Sequence, residues 1–121
     1  RQRLDVLRAT LRLHVVTADT FGAARKNLES IECELAIIPE GGQAGAKLSY
    51  VQKLGAEGVV SIGNGRNDRL MLKHSALGIA LVQEEGASFE ALCACHVAVR
   101  SINDALDLLL HPRRLIATLR D

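Results

Sequence analysis

The segment Val59-Val60-Ser61-Ile62-Gly63-Asn64-Gly65-Arg66-Asn67-Asp68 joins a short apolar run to a polar, glycine-rich loop. β-Branched and aliphatic residues in such a run are typical of a strand, and the glycines and asparagines after it are typical of a turn. Asp68 then precedes Arg69-Leu70-Met71-Leu72, which continues as a helical pattern. The segment predicts a strand–loop–helix unit, the building block of a parallel α/β sheet.

The same alternation extends in both directions from this segment. Four more apolar runs predict strands at residues 13–17, 35–38, 77–82 and 97–99. Helical patterns lie around them, at residues 1–11, 23–28, 44–54, 88–93 and 101–110 and after Pro112. Strands that are apolar on both faces and alternate with helices favour a parallel sheet covered on both sides. The predicted fold class is therefore α/β, a three-layer Rossmann-like parallel sheet with helices on both faces.

Composition narrows the class of protein further. The 121 residues suit one domain, and 48% hydrophobic with 24% charged residues is the balance of a globular protein. A net charge of +1, 2% aromatic residues and the lack of a long apolar run give no reason to expect a nucleic-acid or membrane partner. Three cysteines without a secretory segment indicate reduced thiols in the cytoplasm.

Polar features follow the ends of three predicted strands. Thr17 ends the first strand, Lys47 lies in the first turn of the helix after the second, and residues 63–68 leave the third. In an open parallel sheet, ligands bind at the carboxyl ends of the strands. We therefore expect a hydroxyl, an ammonium and a carboxamide–carboxylate loop to converge at one edge. The helix N-termini that point to this edge favour an anion.

Phosphate is the anion that suits these groups best. Thr17 can donate its hydroxyl, and Lys47 can neutralise charge that spreads over phosphoryl oxygens. Asn64, Asn67 and Asp68 supply the hard oxygen ligands that magnesium prefers. The glycines beside them let the backbone approach a metal or a phosphate closely. The residues thus predict a phosphate site with a magnesium site next to it.

Three stretches resemble signature motifs of the haloacid dehalogenase superfamily. They are Val15-Val16-Thr17-Ala18-Asp19-Thr20, Lys47, and Gly63-Asn64-Gly65-Arg66-Asn67-Asp68-Arg69-Leu70-Met71-Leu72. The last stretch is similar to the phosphorylation domain of P-type ATPases and to small soluble proteins that resemble that domain. The resemblance covers nearly the whole chain. The spacing from Thr17 to Lys47 leaves no room for a cap domain between those motifs, and a cap after the first motif stays open. The resemblance is to the capless soluble group.

The resemblance implies a role for each matched residue. The catalytic residues that it implies are Thr17, Lys47, Asn67 and Asp68. Thr17, Ala18 and Lys47 would bind and stabilise the phosphoryl group. Asn64 and Asp68 would hold Mg²⁺, and Asn67 would orient the phosphate or the metal ligands. The implied activity is magnesium-dependent phosphoryl transfer from a phosphorylated substrate, as in a phosphatase or an ATPase.

The chain departs from the family's pattern in two places. Asn64 stands where the family usually has an aspartate, and the lost negative charge predicts weak or absent Mg²⁺ binding. The family's nucleophilic aspartate, which forms an aspartyl-phosphate, has no counterpart. Asp5 lies on a helical stripe and Asp19 follows a different motif. We therefore predict no turnover by this exact chain.

The missing motif also affects the predicted fold. In the family's sheet the strand that carries it is central, between the strands that end at Thr17 and Gly63. Buried unpaired backbone groups cost about 1–3 kcal/mol each, and several of them exceed the roughly 5–15 kcal/mol margin of a domain. We predict that residues 1–121 are one N-terminally incomplete domain. Its sheet would be completed by an N-terminal segment, by a second copy or strand exchange, or by rearrangement.

Two other functions stay open. A non-catalytic module would keep the phosphate-binding edge and act in binding or assembly, which Asn64 favours. A structural metal protein would use Cys93, Cys95 and His96, because thiolates and imidazole bind zinc, although buried thiols are the better interpretation. Residues 41–47 are not a nucleotide-binding P-loop, because no glycine directly precedes Lys47 and no serine or threonine follows it.

Overall fold

A computed structural model describes residues 11–12, 14–17, 33–84 and 86–110. Their elements are, in order, β1 (His14–Thr17), β2 (Glu34–Ile37), α1 (Gln43–Leu54), a 3₁₀ turn (Ala56–Gly58), β3 (Val60–Gly63), a second 3₁₀ turn (Arg66–Asp68), α2 (Arg69–His74), β4 (Leu77–Leu81), α3 (Phe89–Ala94), β5 (Val97–Val99) and α4 (Ile102–Leu110). Every pairing between these strands is parallel, which confirms the predicted α/β class. The helices predicted at residues 1–11, at residues 23–28 and after Pro112 fall outside the described residues, apart from Leu11, which is not helical.

The five strands form two sheets, β1–β2 and β3–β4–β5. In the first sheet Thr17 pairs with Ile37, and in the second Gly63 pairs with Ala80. The division separates the strand that ends at Thr17 from the strand that ends at Gly63. These are the two strands that the sequence predicts to flank a missing central strand. In the described part of the chain, β1 pairs only with β2, and β3 pairs only with β4.

The core is built around β4. All five of its residues are buried, and Ile79 is completely inaccessible to solvent. Its apolar cluster consists of Leu77, Ile79, Leu81, Val97 and Ala105, from β4, β5 and α4. The prediction that strands are buried on both faces holds for β4 but not for β2, where Glu34 and Ile37 are exposed. The described helices are all too short or too polar to span a bilayer.

Two serines begin helices as the sequence predicts. The Ser88 hydroxyl accepts a hydrogen bond from the amide of Ala91 at 3.0 Å and so caps α3. The Ser101 hydroxyl accepts one from the amide of Asp104 at 3.1 Å at the start of α4. Each bond satisfies an amide that has no partner within the helix, so these caps set where both helices begin.

Gly78 lets β4 lie directly against α2. A Cβ at this position would lie 2.2 Å from the Leu72 carbonyl oxygen, which belongs to the backbone of α2. We expect Gly78→Ala to lower the free energy of unfolding by about 1–3 kcal/mol. Gly45→Ala, inside α1 with open space around the position, should raise it by about 0.5–1 kcal/mol. Urea denaturation of both variants measures the difference, and equal stabilities would contradict this account.

Helix α1 is joined to the first sheet through His14 and Tyr50. The His14 Nδ1 atom lies 2.7 Å from the Tyr50 hydroxyl and 3.1 Å from a carboxylate oxygen of Glu34. The two rings meet edge to face, with their centroids 5.6 Å apart. Because Lys47 lies one turn before Tyr50, the same helix contacts both β1 and the loop that follows β3.

Tyr50 offers a test of this contact at high pH. Burial raises the pKa of its phenol above 10.0, and the Glu34 carboxylate raises it further. The folded state therefore retains the phenolic proton more tightly than the unfolded state. This stabilisation is complete below pH 10.0 and is lost as the pH rises through the higher pKa of the folded state. We expect the free energy of unfolding to fall above that pH in the wild type and less in Tyr50→Phe. Because Tyr50 is the only tyrosine, phenolate absorbance reports its titration directly, and an ordinary midpoint would contradict the prediction.

Candidate functional site

The loop after β3 is organised by the carboxylate of Asp68. Its Oδ2 atom accepts hydrogen bonds from the amides of Asn64 and Gly65, both at 3.0 Å. Gly63 makes room for this arrangement, because a Cβ there would lie 2.4 Å from the same oxygen. Asp68 is 6% exposed. The carboxylate therefore holds the loop closed across the end of β3.

Lys47 reaches this loop from α1. Its Nζ atom donates to Asp68 Oδ1 at 2.7 Å and to Asn67 Oδ1 at 3.2 Å. The two charged side chains of the pair are 12% and 9% exposed. The structure thus brings together three predicted residues from two distant segments. The sequence predicts Lys47 in the first turn of this helix. Because α1 begins at Gln43, Lys47 lies in the second turn instead.

Asn64 connects this loop to the segment that follows β4. Its Nδ2 atom donates to Gln83 Oε1 at 3.2 Å, and its backbone carbonyl accepts from the amide of Ser88 at 3.0 Å. These bonds tie the β3 loop to the segment between β4 and α3. Gln83 was not predicted, since nothing in the residues around it marks a site.

The predicted phosphate-binding turn after β1 is only partly described. Thr17 is the last residue of β1, so its backbone stands at the carboxyl end of that strand, as predicted. The placement of the Thr17 side chain and the whole of Ala18 lie outside the described residues. The binding roles of these two residues stay predictions.

A second side-chain amide, that of Gln43, contacts Asn67. Asn67 Nδ2 donates to Gln43 Oε1 at 2.7 Å, and Gln43 Nε2 donates to the backbone carbonyl of Glu40 at 3.0 Å. The sequence does not predict a site role for Gln43, because this segment lacks the pattern of a nucleotide-binding P-loop. Its place at the start of α1, directly after two glycines, was the available signal. Gly42 has φ of 67°, a left-handed conformation that glycine adopts without strain.

An open groove of about 470 Å³ adjoins this amide pair. It lies between the start of α1 and the second 3₁₀ turn, and the residues that line it are Glu40, Gly42, Gln43, Ala44, Gly65, Arg66, Asn67 and Arg69. The side chains longer than a methyl group are all polar or charged. The groove therefore suits a hydrophilic ligand, and Arg66 and Arg69 make part of its wall cationic.

The described residues alone do not make a magnesium site. The loop itself, residues 63–68, contains one carboxylate, and both oxygens of Asp68 already accept hydrogen bonds, one of them from an ammonium group. Asn64 contributes a neutral amide where charge would strengthen cation binding. No group of three or more His, Cys, Asp or Glu residues in the described ranges could hold a metal ion. Ligation of Mg²⁺ by Asn64 and Asp68 stays a prediction that would require further ligands.

The Cys93, Cys95 and His96 cluster serves the fold. His96 Nδ1 accepts a hydrogen bond from the amide of Gly78 at 2.8 Å, so this nitrogen is already occupied. The Cys95 thiol donates to the carbonyl of Leu92 at 3.2 Å within the last turn of α3. These bonds favour structural roles for Cys95 and His96 over the zinc hypothesis. The predicted burial of the thiols is wrong, because Ala91 is the buried residue of α3, whereas Cys93 is exposed and Cys95 is half-buried.

Sequence comparison finds a relative that the chain covers over most of its length. The chain is 45% identical over 80 residues to the uncharacterized protein MJ0073 of Methanocaldococcus jannaschii. This match covers 63% of the chain and 86% of that protein. No protein-family model matches the chain.

Solved structures with low sequence identity share the fold. A protein from Legionella pneumophila, assigned to subfamily III A of the HAD (haloacid dehalogenase) superfamily of hydrolases, has a TM-score of 0.75 at 16% identity, over 97% of this chain and 68% of its own. The 3-deoxy-D-manno-octulosonate 8-phosphate phosphatase of Moraxella catarrhalis, solved with magnesium, phosphate and KDO, has a TM-score of 0.72 at 14% identity, over 98% and 72%. The cobalt-bound deoxy-D-mannose-octulosonate 8-phosphate phosphatase of Haemophilus influenzae has a TM-score of 0.75 at 14% identity, over 93% and 70%. At these identities the likeness shows the fold alone, and that fold is the predicted one.

Proposed function

Since the chain belongs to the family of the uncharacterized protein MJ0073 from Methanocaldococcus jannaschii, whose name assigns no activity, we propose a function from its site: it is the phosphoryl-binding part of a phosphohydrolase domain. The observation that carries the proposal is the Lys47 ammonium, held 2.7 Å from Asp68 and 3.2 Å from Asn67. A cation fixed in place within a polar loop is suited to a phosphoryl group.

Lys47 would act by electrostatic stabilisation. Negative charge on the phosphoryl oxygens would meet an ammonium that Asp68 and Asn67 already hold in place, so little reorganisation would accompany binding. Thr17, at the end of β1, would donate its hydroxyl to another phosphoryl oxygen. Two of the structural neighbours are named as phosphatases of a sugar-acid phosphate, and one was solved with phosphate bound, which supports this use of the fold.

Turnover would need a nucleophile that the described residues do not supply. In the reaction that the resemblance implies, an aspartate attacks phosphorus, the ester oxygen leaves with a proton, and water then hydrolyses the aspartyl-phosphate. Asp68 is poorly suited to this role, because its oxygens accept hydrogen bonds from Lys47 and from two loop amides, which lower its nucleophilicity. We therefore propose that these 121 residues bind phosphate but do not turn over an ester on their own.

The leaving group of the substrate would lie along the polar groove. Asn67 lines the groove and also contacts Lys47, so a phosphoryl group beside Lys47 places the rest of the molecule near Arg66 and Arg69. The described wall of the groove carries no aromatic side chain on which a base could stack. A small, hydrophilic phosphate ester fits these features better than a nucleotide.

A non-catalytic module is the second candidate. Asn64 favours it, since a neutral amide at this position weakens a metal site. Such a module would bind phosphate through the same residues and would act in recognition or assembly. It differs from the first candidate in one respect, which is that a supplied nucleophile would produce no turnover.

Two measurements test the proposal. The chain is titrated with inorganic phosphate and with orthovanadate, with and without Mg²⁺, while backbone amide shifts are followed. We expect shifts at Lys47 and across residues 63–68, and their absence would overturn the phosphate site. A second form carries an added N-terminal apolar strand that ends in aspartate. Release of phosphate from a generic ester by this form, and not by the original chain, would support the enzyme, whereas binding without turnover would favour the module.

A further inference from the structure

Gln43, the first residue of α1, contacts the site residue Asn67 through one end of its side-chain amide and the backbone of Glu40 through the other. Its Oε1 accepts from Asn67 Nδ2 at 2.7 Å, and its Nε2 donates to the Glu40 carbonyl at 3.0 Å. We infer that Gln43 is a positioning residue for phosphate binding: it fixes the orientation of the Asn67 amide and thereby the place of the Lys47 ammonium. This inference rests on the proposed function, because it assigns a role within the same site.

The partners at the two ends of this chain of hydrogen bonds allow only one orientation of the Asn67 and Gln43 side-chain amides. An ammonium group only donates, so Asn67 must turn its Oδ1 atom toward Lys47, as observed at 3.2 Å. Its Nδ2 atom then faces Gln43, which must present Oε1. The remaining Nε2 of Gln43 meets a backbone carbonyl, which only accepts. Every donor in this chain of contacts faces an acceptor, so neither amide can flip without two donors or two acceptors meeting.

The position of Gln43 suits a site role more than a packing role. Gln43 and Asn67 are both half-buried, and Gln43 makes no part of the apolar cluster around β4. Helix α1 is held in the fold elsewhere, since Val51 is buried and Tyr50 contacts His14. Removing the two hydrogen bonds of Gln43 should therefore change the geometry near Lys47 more than it changes the fold.

Gln43→Met removes both hydrogen bonds and keeps a side chain of similar length. Without Gln43, the Asn67 amide can rotate, and Lys47 loses a fixed acceptor. We expect the affinity for inorganic phosphate to fall by about two- to tenfold, the range that one hydrogen bond supports. Gln52→Met is the matched control, because Gln52 lies exposed on the same helix. It should leave the affinity unchanged.

A double-mutant cycle separates positioning from a general loss of structure. In an Asn67→Ala background, Gln43→Met should have no further effect on phosphate affinity, because the hydrogen bond between Gln43 and Asn67 is already absent. Additive effects of the two changes would overturn the inference, as would a lower melting temperature for Gln43→Met with unchanged phosphate affinity.

The contact between Gln43 and Asn67 can also be tested without any bound anion. The side-chain amide resonances of Asn67 should shift in Gln43→Met and not in Gln52→Met, and the same cycle measured on the free energy of unfolding should show coupling between Gln43 and Asn67. If the wild type binds no phosphate but this coupling is present, the proposed function fails while the contact stands. If the coupling and the amide shifts are both absent, the inference itself is wrong.

Discussion

Asp68→Ala is expected to lower the free energy of unfolding by about 3–5 kcal/mol and to abolish phosphate binding. The substitution leaves the Lys47 ammonium without its counter-charge at a place where the side chain is 12% exposed. It also leaves the amides of Asn64 and Gly65 without their shared acceptor. Little solvent reaches either group to replace the carboxylate, so the cost is that of breaking a buried pair from one side.

Urea denaturation and phosphate titration measure the two effects of Asp68→Ala. Glu90→Ala is the matched control, since it removes a carboxylate from an exposed ion pair with Arg66 at 3.8 Å, where the side chains are 73% and 47% exposed. Exposed pairs contribute little, and this change should stay within about 0.5 kcal/mol. Equal losses in the two variants would show that Asp68 is an ordinary surface acid.

A second substitution identifies the cause of the loss. Lys47→Met removes the ammonium but leaves the Asp68 carboxylate with its two loop amides. The double variant Lys47→Met with Asp68→Ala contains no unpaired buried charge. We expect it to be less destabilised than the sum of the single variants, because the two side chains are partners. Simple additivity would mean that the ion pair is not what Asp68 contributes.

The strands and the edge of the sheet could be predicted from sequence because their signals are local. The apolar run before Gly63, the polar loop after it and the serine caps at Ser88 and Ser101 each specify a short segment. Parallel topology then places the carboxyl ends of strands together without any knowledge of side-chain contacts. For this reason the proximity of Lys47 to Asp68, 21 positions apart, was predictable.

The partners of these side chains could not be predicted in the same way. Gln43 and Gln83 take part because the loops between strands bring their amides within hydrogen-bonding distance of Asn67 and Asn64. Glutamine is common on surfaces. The two glycines before Gln43 mark the start of a helix but not the partner of its amide, and nothing around Gln83 marks a functional contact. The residue type predicts what a side chain can donate or accept, whereas the partner depends on tertiary geometry.

The role of Asp68 shows the same limit at the level of chemistry. A carboxylate in a polar loop after a strand suits a magnesium ligand, and the sequence analysis assigned it as one. In the structure its oxygens accept from Lys47 and from two backbone amides. A carboxylate has lone pairs both for a metal and for internal donors, so the residue type does not specify these contacts, and ligation of Mg²⁺ by Asp68 stays a prediction.

The second large effect is expected from Gly63→Ala. A Cβ at Gly63 would lie 2.4 Å from Asp68 Oδ2 and 2.8 Å from the Asp68 Cβ, so rotating the carboxylate alone does not relieve the clash. The side chain must leave its place, and the contacts with Lys47 and the loop amides go with it. We expect losses similar to those of Asp68→Ala, about 3–5 kcal/mol in unfolding, together with the loss of phosphate binding.

Two neighbouring glycines make this prediction a graded test. At Gly58, in the first 3₁₀ turn, an added Cβ meets nothing within 4 Å, so Gly58→Ala should leave both stability and phosphate affinity near the wild type. At Gly65 a Cβ would lie 3.1 Å from Asn67 Oδ1, a contact that a small shift of that side chain relieves, so Gly65→Ala should show an intermediate loss. Urea denaturation and phosphate titration of the three variants give the order. Equal phosphate affinities of Gly63→Ala and Gly58→Ala would contradict the prediction. They would mean that displacing the Asp68 carboxylate has no effect, so that it does not hold Lys47 and the loop in a binding geometry.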